Sequence, residues 1–365
     1  MRGLRVEGTQ GEVASGRCGQ RVRFGAFLLA PQYPGQDHGM VLDATVAAAV
    51  AADEAGFDEV WVAEHHFISY GVCPSAVTLA GYLLAATRRV AVGTAVTVLS
   101  TAHPVALAEQ TALLDQLSGG RFRLGVGRGG PWVDLDVFDA GLGRWEHGYP
   151  AALDVLLETL RTGHVAADLP LVPAPRTRPH PPVVTAVTSQ GGLEVAAVRR
   201  LPMLLGMHAD DEEKATFTAR YAALTDGFDP GHLAAGVAHV ADTRAEALAE
   251  VRAELPRWLG PGLAGYRRAD GAPHASRDPH AYTELLCRLH PIGSPDDCVR
   301  MLTRTVARTG VRQHLLLVET TGDPARTQEN IARLGTEVLP RLRASPVGPG
   351  SDIPVPGMLG TQQRY

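Results

Sequence analysis

Two adjacent histidines, His65 and His66, follow a short apolar run and are the residues of this sequence best suited to chemistry. Histidine titrates near neutral pH when nothing perturbs it, so its ring can give a proton to a bound intermediate or take one away. If the apolar run is a strand, successive side chains point to opposite faces, and only one of the two rings faces a given cavity. The residues alone do not say which one, and a pair of hydrogen-bonded core or surface histidines is the alternative interpretation. No third ligand stands at a spacing usual for zinc, so we expect no metal site.

A second group of residues is suited to holding a phosphate. The run Gly125–Gly130 is rich in glycine, which lets backbone N–H groups approach an anion, and Arg128 within it can grip phosphate oxygens through two hydrogen bonds. Ser189 offers a hydroxyl at the start of another glycine turn. Either run alone is as consistent with a plain bend after a strand, and neither is a Walker loop. Their predicted position on one face of the fold, together with the histidines, favours cofactor binding.

The elements that must position these residues follow from an alternation of short β-type runs with helix-type runs. Helical crossovers of this length join parallel strands, and eight such strands close a barrel whose chemistry lies at the carboxyl ends of the strands. We therefore predict an α/β fold, a TIM (β/α)8 barrel. A helix is predicted at Thr243–Leu255, followed by an irregular and mobile lid insertion at Pro256–Arg277. The eight strands are predicted at Val22–Leu29, Phe57–Ala63, Val90–Val98, Arg121–Val126, Pro182–Val187, Met203–Met207, Gly236–Val240 and His314–Val318.

The bulk composition limits the class of protein. With 365 residues and 45% hydrophobic content, the chain can bury one large core. We predict a single barrel domain over residues 22–343, a flexible extension over residues 1–21 and a flexible tail over residues 344–365. A net charge of −5 without a basic block argues against nucleic acid or a membrane surface as the partner, and no apolar run is long enough to span a bilayer. Four scattered cysteines fit a cytoplasmic protein with reduced thiols.

A set of short motifs, taken together, resembles the bacterial luciferase family of flavin-dependent monooxygenases, which are α/β barrels. The motifs occur in the family's order and span roughly residues 22–343. The chain is more similar to the catalytic α subunit than to the β subunit, because it has both the doubled histidine and the arginine of the glycine turn. The motifs are Phe24–Leu29, Glu64–Phe67, Val92–Ala95, Thr101–Val105, Leu114–Phe122, Leu201–Met203 and Pro291–Pro295.

The resemblance implies roles for several residues of this chain. His65 matches the family's catalytic histidine. Arg128 and Ser189 match residues that hold the FMN phosphate. Ala95 and Val96 match a pair joined by a non-prolyl cis peptide bond beneath the flavin ring, a rare feature outside functional sites.

Three further positions complete the implied flavin site. Asp134 matches an acidic residue that influences flavin binding, while Gly127 and Gly130 belong to the turn beside the flavin. Gly127 stands where luciferase has a reactive cysteine, and we expect this exchange to leave more room for substrate. Together with a shorter lid, it favours a biosynthetic oxygenase over an efficient light emitter.

The activity implied by the resemblance is that of a two-component monooxygenase. A separate flavin reductase supplies FMNH2, and a C4a-peroxyflavin inserts one oxygen atom from O2 into an organic substrate by hydroxylation or epoxidation. A polycyclic natural product, as in antibiotic biosynthesis, is the expected substrate, and a homodimer through the second and third helices is the expected assembly. The alternatives are an F420-dependent dehydrogenase of the same superfamily and a non-catalytic partner subunit like the luciferase β chain.

Overall fold

The computed structural model describes residues 21–274 and 276–344 of the chain. The flexible extension and tail predicted at the two ends therefore lie outside the described residues, except at residues 21 and 344. The core of the described chain is a closed barrel of eight parallel strands, as the sequence predicted. Each strand pairs in parallel with its neighbours in sequence, and the first pairs with the last. The strands are β1 (Arg23–Leu28), β2 (Glu59–Val62), β3 (Ala91–Thr94), β4 (Phe122–Gly127), β5 (Val183–Val187), β6 (Met203–Leu205), β7 (Leu233–Val237) and β8 (Gln313–Leu317).

Helices surround this barrel. Within the described ranges, no helix combines the length and apolar composition needed to cross a membrane. Shorter helical turns occur at Asp134–Val137, Gly141–Gly143, Arg144–Gly148, Leu334–Val338 and Leu339–Ala344. The longer helices are α1 (His38–Glu54), α2 (Ala76–Ala86), α3 (Pro104–Ser118), α4 (Tyr149–Thr162), α5 (Gln190–Val198), α6 (Asp211–Leu224), α7 (Arg244–Ala264), α8 (Pro279–Leu289), α9 (Pro295–Thr309) and α10 (Pro324–Arg333).

Alternate residues along each strand pack either outward against the helices or inward in the barrel interior. In β1, Phe24 and Ala26 pack outward against the helices, whereas Phe27 packs inside the barrel. Trp61 of β2 is the bulkiest of the fully buried side chains, and its indole fills the barrel interior where the neighbouring strands carry glycine. A Cβ at Gly93 would lie 2.5 Å from this ring, so the neighbouring strand must have glycine there.

The lid region differs from the sequence prediction. Helix α7 does not end at Leu255 but continues to Ala264 through Pro256 and Pro261, and α8 was not predicted. The prolines are tolerated because the opposite face of α7 carries a continuous buried stripe whose packing outweighs the lost hydrogen bonds. Four members of that stripe are Leu255, Trp258, Leu259 and Leu263. The irregular segment therefore begins only at Gly265.

Two strand predictions also need correction. The strand predicted at Val90–Val98 is two strands, β3 and Thr97–Val98, separated by the Ala95–Val96 peptide. The strand predicted at Gly236–Val240 begins earlier, at Leu233, because Ala234 and Ala235 have weak strand preference but are buried in the sheet. It also ends at Val237, and His239–Val240 is a separate short strand that pairs with Ile292–Gly293. A short antiparallel hairpin outside the barrel pairs His164–Ala166 with Leu169–Pro170.

A buried carboxylate links the first and last strands of the barrel at the face where the strands have their carboxyl ends. Glu319 follows β8, and its Oε2 accepts hydrogen bonds from the backbone N–H of Leu29 at 2.7 Å and of Ala30 at 3.3 Å, just beyond β1. Its Oε1 accepts from the Thr45 hydroxyl of α1 at 3.0 Å. Burial raises the pKa of Glu319 to about 7. This side chain therefore holds the last strand against the first in addition to the strand pairing.

Candidate active site

A cavity of about 670 Å³ opens at the carboxyl ends of the strands, the face on which barrel enzymes carry their chemistry. Its walls come from the ends of β1, β2 and β3, from the loop after β4 and from the segment after α7. The size suits a small-molecule ligand. Most of the lining is apolar or aromatic, including Phe27, Leu29, Tyr70, Trp132, Met207 and Tyr266.

Both histidines line this cavity. The expectation that only one of them would face it is therefore wrong. Strand β2 ends at Val62, and residues 63–66 have left the sheet, so the alternation of strand side chains no longer applies to His65 and His66.

His65 lies in the wall of the cavity, edge-on to Tyr70 at a ring-centroid distance of 5.0 Å. Its Nδ1 has no hydrogen-bond partner among the described residues. Gly71 packs so closely against this ring that a Cβ there would come within 2.7 Å of Nδ1. Burial, with a smaller contribution from His66, lowers the pKa of His65 to about 4. The ring is therefore neutral at pH 7 and has one N–H donor and one acceptor nitrogen.

Glu64 holds the backbone segments that surround the histidines. Its Oε2 accepts a hydrogen bond from the backbone N–H of Ala76 at the start of α2, and its Oε1 accepts from the N–H of Val98, both at 3.0 Å. The same Oε1 lies 3.6 Å from Nε2 of His66. One buried carboxylate thus ties the end of β2 to α2 and to the strand that follows the 95–96 peptide.

Asp134 adds a second carboxylate to the cavity wall. It begins a short helical turn in the loop after β4, and its buried Oδ1 has no hydrogen-bond partner among the described residues. Burial raises the pKa of Asp134, while the nearby His66 acts in the opposite direction. The Nε2 of His66 is likewise buried without a hydrogen-bond partner in the described part of the chain. Such unpaired buried groups are costly unless a ligand satisfies them.

The Ala95–Val96 peptide bond is cis in the structure, as the resemblance implied. Both residues line the cavity. The expected extra space at Gly127 does not exist, because a Cβ at this position would lie only 2.6 Å from Cγ2 of Val96. The Val96 side chain already occupies that space. Gly130 is restricted in the same way, since its Cβ would lie 2.2 Å from Nε1 of Trp132.

Arg128 and Ser189 do not line this cavity but flank it on neighbouring strand ends. Arg128 is exposed, and its guanidinium lies over the ring of Trp145 at 4.3 Å. Trp145 is held in turn by a 2.9 Å hydrogen bond from its Nε1 to the carbonyl oxygen of Gly129. Ser189 is exposed and caps α5, where its Oγ accepts from the Gly192 N–H at 3.3 Å. Both side chains are open to solvent at the same end of the barrel.

The segment after α7 closes over the cavity, and we call residues 265–274 the lid. Its backbone is bonded to the loop after β4: the Val133 N–H donates to the Arg267 carbonyl, and the Ala269 N–H donates to the Pro131 carbonyl, both at 2.9 Å. The ring of Trp132 packs against Tyr266 of the lid at 4.7 Å. The irregular lid insertion predicted from the sequence thus forms one wall of the cavity.

Sequence reasoning missed the aromatic residues of this wall. Tyr70 stacks on Trp258 of α7 at 4.8 Å and approaches Tyr266 at 5.9 Å. Trp132 and Tyr266 lie in segments without a repeating apolar pattern, so no periodicity pointed to them. The available signal was the presence of large aromatic side chains in segments otherwise rich in glycine, proline and charge.

A second hollow, of about 570 Å³, lies at the opposite end of the barrel. It is lined by residues that precede strands, among them Arg23, Asp58 and His232. It lacks the histidine pair and the aromatic wall, and barrel enzymes do not place their chemistry at the amino ends of the strands. We therefore take the cavity at the carboxyl ends as the candidate active site.

The family of the chain is shown by comparison with known proteins. The family model described as luciferase-like monooxygenase matches residues 22–313, so the chain belongs to that family and is an oxidoreductase. The alkanal monooxygenase alpha chain of the Kryptophanaron alfredi symbiont is 27% identical over 352 residues, covering 88% of this chain and 99% of that protein. The alkanal monooxygenase beta chain of Photobacterium leiognathi is 29% identical over 313 residues, covering 82% and 92%. Sequence identity alone therefore does not show whether the chain is more similar to the alpha chains or to the beta chains.

Solved structures agree with the fold. The monooxygenase RslO1 from Streptomyces bottropensis has a TM-score of 0.76 at 20% identity, covering 87% of this chain and 99% of that one. The oxygenating constituent of 3,6-diketocamphane monooxygenase from Pseudomonas putida, solved with FMN, has a TM-score of 0.70 at 18% identity, covering 88% and 99%. An F420-dependent secondary alcohol dehydrogenase has a TM-score of 0.67 at 17% identity, covering 89% and 100%. At these identities the likeness concerns the fold alone.

Proposed function

We propose that this protein is a two-component monooxygenase that takes reduced FMN from a separate flavin reductase and uses O2 to place one oxygen atom on an organic substrate. The observation that carries the proposal is the convergence of His65, His66 and Asp134, with unpartnered polar atoms, on an otherwise apolar cavity beside the cis peptide. A flavin ring is flat and largely apolar, with hydrogen-bond donors and acceptors at its edge, so it suits both the walls and the unpaired groups. The family name supports a monooxygenase, and the neighbour solved with FMN supports this cofactor.

The phosphate is assigned to the exposed pair beside the cavity. Arg128 and Ser189 are open to solvent at neighbouring strand ends, and a guanidinium can bind a phosphate through two hydrogen bonds. Arg128 rests on Trp145, which leaves its N–H edges free to reach an anion. Ala95, Val96 and the backbone of the Gly127–Gly130 turn would then support the ring of the cofactor.

In this proposal the residues of the chain position the reactants, exclude water and transfer protons. Reduced FMN, when bound, supplies the electrons with which O2 is activated. The apolar walls exclude water from the reacting atoms. The neutral His65 ring is placed to act as general acid or base, an effect of about 10²–10⁴-fold in typical enzymes. Asp134, with its raised pKa, holds its proton to higher pH than an exposed aspartate and interacts with His66.

The substrate in this proposal is a polycyclic natural product, such as an intermediate of antibiotic biosynthesis, that undergoes hydroxylation or epoxidation. The aromatic wall formed by Tyr70, Trp132 and Tyr266 supports a flat substrate. We also propose a cytoplasmic location, where a reductase can deliver reduced flavin. Among the described residues, the cysteines Cys73, Cys287 and Cys298 are buried and unpaired, which suits a reducing compartment.

A homodimer through α2 and α3 is part of the proposal. Ala76, Ala80 and Ala108, small residues of these helices, are buried within the single chain, so they serve its own packing. The outer faces instead expose the large side chains Tyr82, Leu113 and Leu117, the last at 75% exposure. Large exposed apolar side chains on these two helices support association through them. Light scattering at micromolar concentration tests it by giving the mass of the particle.

The test of the proposed activity separates it from both alternatives. We expect anaerobic titration to show binding of reduced FMN, and incubation with a flavin reductase, NADH, ¹⁸O2 and a panel of polycyclic compounds to give singly labelled product. His65→Ala should bind reduced FMN normally and lose about 10²-fold or more of product formation. Binding of reduced F420 with no label in any product would establish the dehydrogenase alternative. Binding of reduced FMN by the wild type with no product formed would support the non-catalytic, β-like alternative, and full activity of His65→Ala would contradict the catalytic role proposed for that ring.

A further inference from the structure

The charge distribution of the cavity is uneven. Glu64 and Asp134 bring two carboxyl groups to the wall near the histidines, and the pKa of about 4 leaves His65 uncharged at pH 7. The inner part of the cavity therefore offers no strong attraction to an anion. A substrate group that lies there must be neutral or apolar, in keeping with the aromatic lining.

Arg267 of the lid is the single lysine or arginine among the described residues that line this cavity. It is exposed, and its guanidinium forms no ion pair or hydrogen bond within the described part of the chain. Two nearby arginines, in contrast, are paired with carboxylates. The Nε of its neighbour Arg268 donates to Oδ1 of Asp270 at 2.8 Å, and Arg257 of α7 donates to Glu254 at 2.8 Å.

Hydrogen bonds hold the lid backbone from which the Arg267 side chain extends. The Arg267 carbonyl accepts from the Val133 N–H at 2.9 Å, and Arg268 forms a β-bridge with Trp132. The rings of Trp132 and of Tyr266, the residue before Arg267, pack against each other with their centroids 4.7 Å apart and their planes tilted by 45°. The cavity thus has an aromatic wall and, at its lid edge, one guanidinium that is unpaired among the described residues.

We propose that Arg267 is a specificity-determining residue that pairs with an anionic group, a carboxylate or a phenolate, on an otherwise apolar aromatic substrate. The proposal rests on the proposed function in one respect, that this cavity receives the substrate. A guanidinium binds such groups by charge-assisted and often paired hydrogen bonds, while the aromatic wall accepts the flat part of the molecule. The anion stays at the lid, away from Glu64 and Asp134, and the part to be oxygenated reaches towards the histidines.

The test is a binding measurement that needs neither flavin nor turnover. Calorimetry of the full chain would compare anthraquinone-2-carboxylate, its carboxamide and decanoate. We expect the carboxylate to bind about five- to tenfold more tightly than the carboxamide, the gain typical of a charge-assisted pair at a partly exposed site. Decanoate, which has the charge but no ring, should bind more weakly than the aromatic carboxylate.

Variants of the two adjacent arginines identify the residue responsible. R267Q should lose the preference for carboxylate over carboxamide and still bind the carboxamide as the wild type does. R268Q, which removes a guanidinium already paired with Asp270, should keep the preference. Equal affinity of the wild type for the two aromatic compounds, no binding of either, or an unchanged preference in R267Q would overturn the proposal.

A separate measurement distinguishes the proposed substrate role of Arg267 from a role in binding the flavin. R267Q should bind reduced FMN as the wild type does, because the phosphate is assigned to Arg128 and Ser189. A loss of reduced-FMN affinity in R267Q would place this guanidinium in the cofactor site and contradict the substrate role. If the wild type bound no flavin at all while the carboxylate preference held, the proposed function would fail and the anion site would stand.

Discussion

At the scale of single residues, the candidate site depends on glycines as much as on reactive groups. Gly71 lets the His65 ring lie against the chain, Gly127 makes room for Val96, and Gly130 makes room for Trp132. In each case the nearest atom to a built Cβ belongs to the site or lies directly beside it. These glycines are therefore constrained by packing rather than by a need for an unusual backbone conformation.

Gly127→Ala tests this view. The added Cβ would lie 2.6 Å from Cγ2 of Val96, so we expect the free energy of unfolding to fall by about 1–3 kcal/mol, as is typical of overpacking. Urea denaturation followed by circular dichroism measures the change. Gly191→Ala is the matched control, because no heavy atom lies within 4 Å of its built Cβ, and it should not lower stability since alanine is favoured over glycine in α5. The double variant Gly127→Ala/Val96→Ala should recover part of the loss, whereas a wild-type midpoint for Gly127→Ala alone would contradict the packing argument.

Some features of the candidate site could be predicted from the sequence, because local motifs specify them, and others could not, because they depend on contacts between distant segments. The position of His65 at the end of β2 and the site of the cis peptide were predictable, because local motifs that resemble a known family specify both. The crowding at Gly127 was not predictable, since it depends on Val96, which lies between β3 and Thr97–Val98 and is distant in sequence. The second histidine was misassigned because the chain leaves the sheet one residue after Val62, and strand alternation says nothing about a loop.

At the scale of elements, the lid is a continuation of α7 joined to the loop after β4. The sequence suggested an irregular insertion beginning at Pro256, because proline disfavours helix interiors. Helix α7 nevertheless continues to Ala264, since its buried face packs on the barrel. Tertiary packing of this kind is not visible in local propensity, so the boundary of the lid could be found only from the structure, whereas the eight strands and their order followed from the sequence pattern.

The aromatic contact between Trp132 and Tyr266 should hold the lid in place. Trp132→Ala removes the ring that packs on Tyr266 at 4.7 Å, so we expect faster hydrogen exchange at the Val133 and Ala269 amides and faster tryptic cleavage within the lid. Mass spectrometry of exchanged peptides measures the first effect. Phe228→Ala, a partly exposed aromatic residue at the opposite end of the barrel, should leave lid exchange unchanged. Unaltered protection in Trp132→Ala would mean that the backbone bonds alone secure the lid.

At the scale of the whole molecule, several histidines are buried and neutral. Burial lowers the pKa of His65, His232 and His314 to about 4 and that of His290 to about 3, from an ordinary value of 6.5. Between these values the unfolded chain binds protons that the folded chain does not. Stability from these groups is therefore complete above pH 6.5 and is lost as the pH falls towards 4. Glu319 acts in the opposite direction, because its raised pKa favours the folded state at low pH.

The histidines outnumber this glutamate, so we expect the urea midpoint to fall between pH 7 and pH 5. His314→Leu removes one buried ring from the barrel core, away from the candidate active site, and should make that fall shallower by up to about 1.4 kcal/mol per pH unit. Unfolding curves measured at half-unit steps of pH, for the wild type and this variant, check the slope. Identical slopes for the two proteins would show that the ring at position 314 does not titrate differently in the folded and unfolded states.

The carboxylate of Glu319 also has a consequence for how the chain comes to be folded. Its bond to the Leu29 amide spans 290 positions of sequence, so during synthesis this contact cannot form until nearly all of the described chain has left the ribosome. Until then the outer edge of β1 has no neighbour, and an open edge is a place where strands of other chains can add. The nascent protein is therefore most exposed to aggregation just before its last strand arrives.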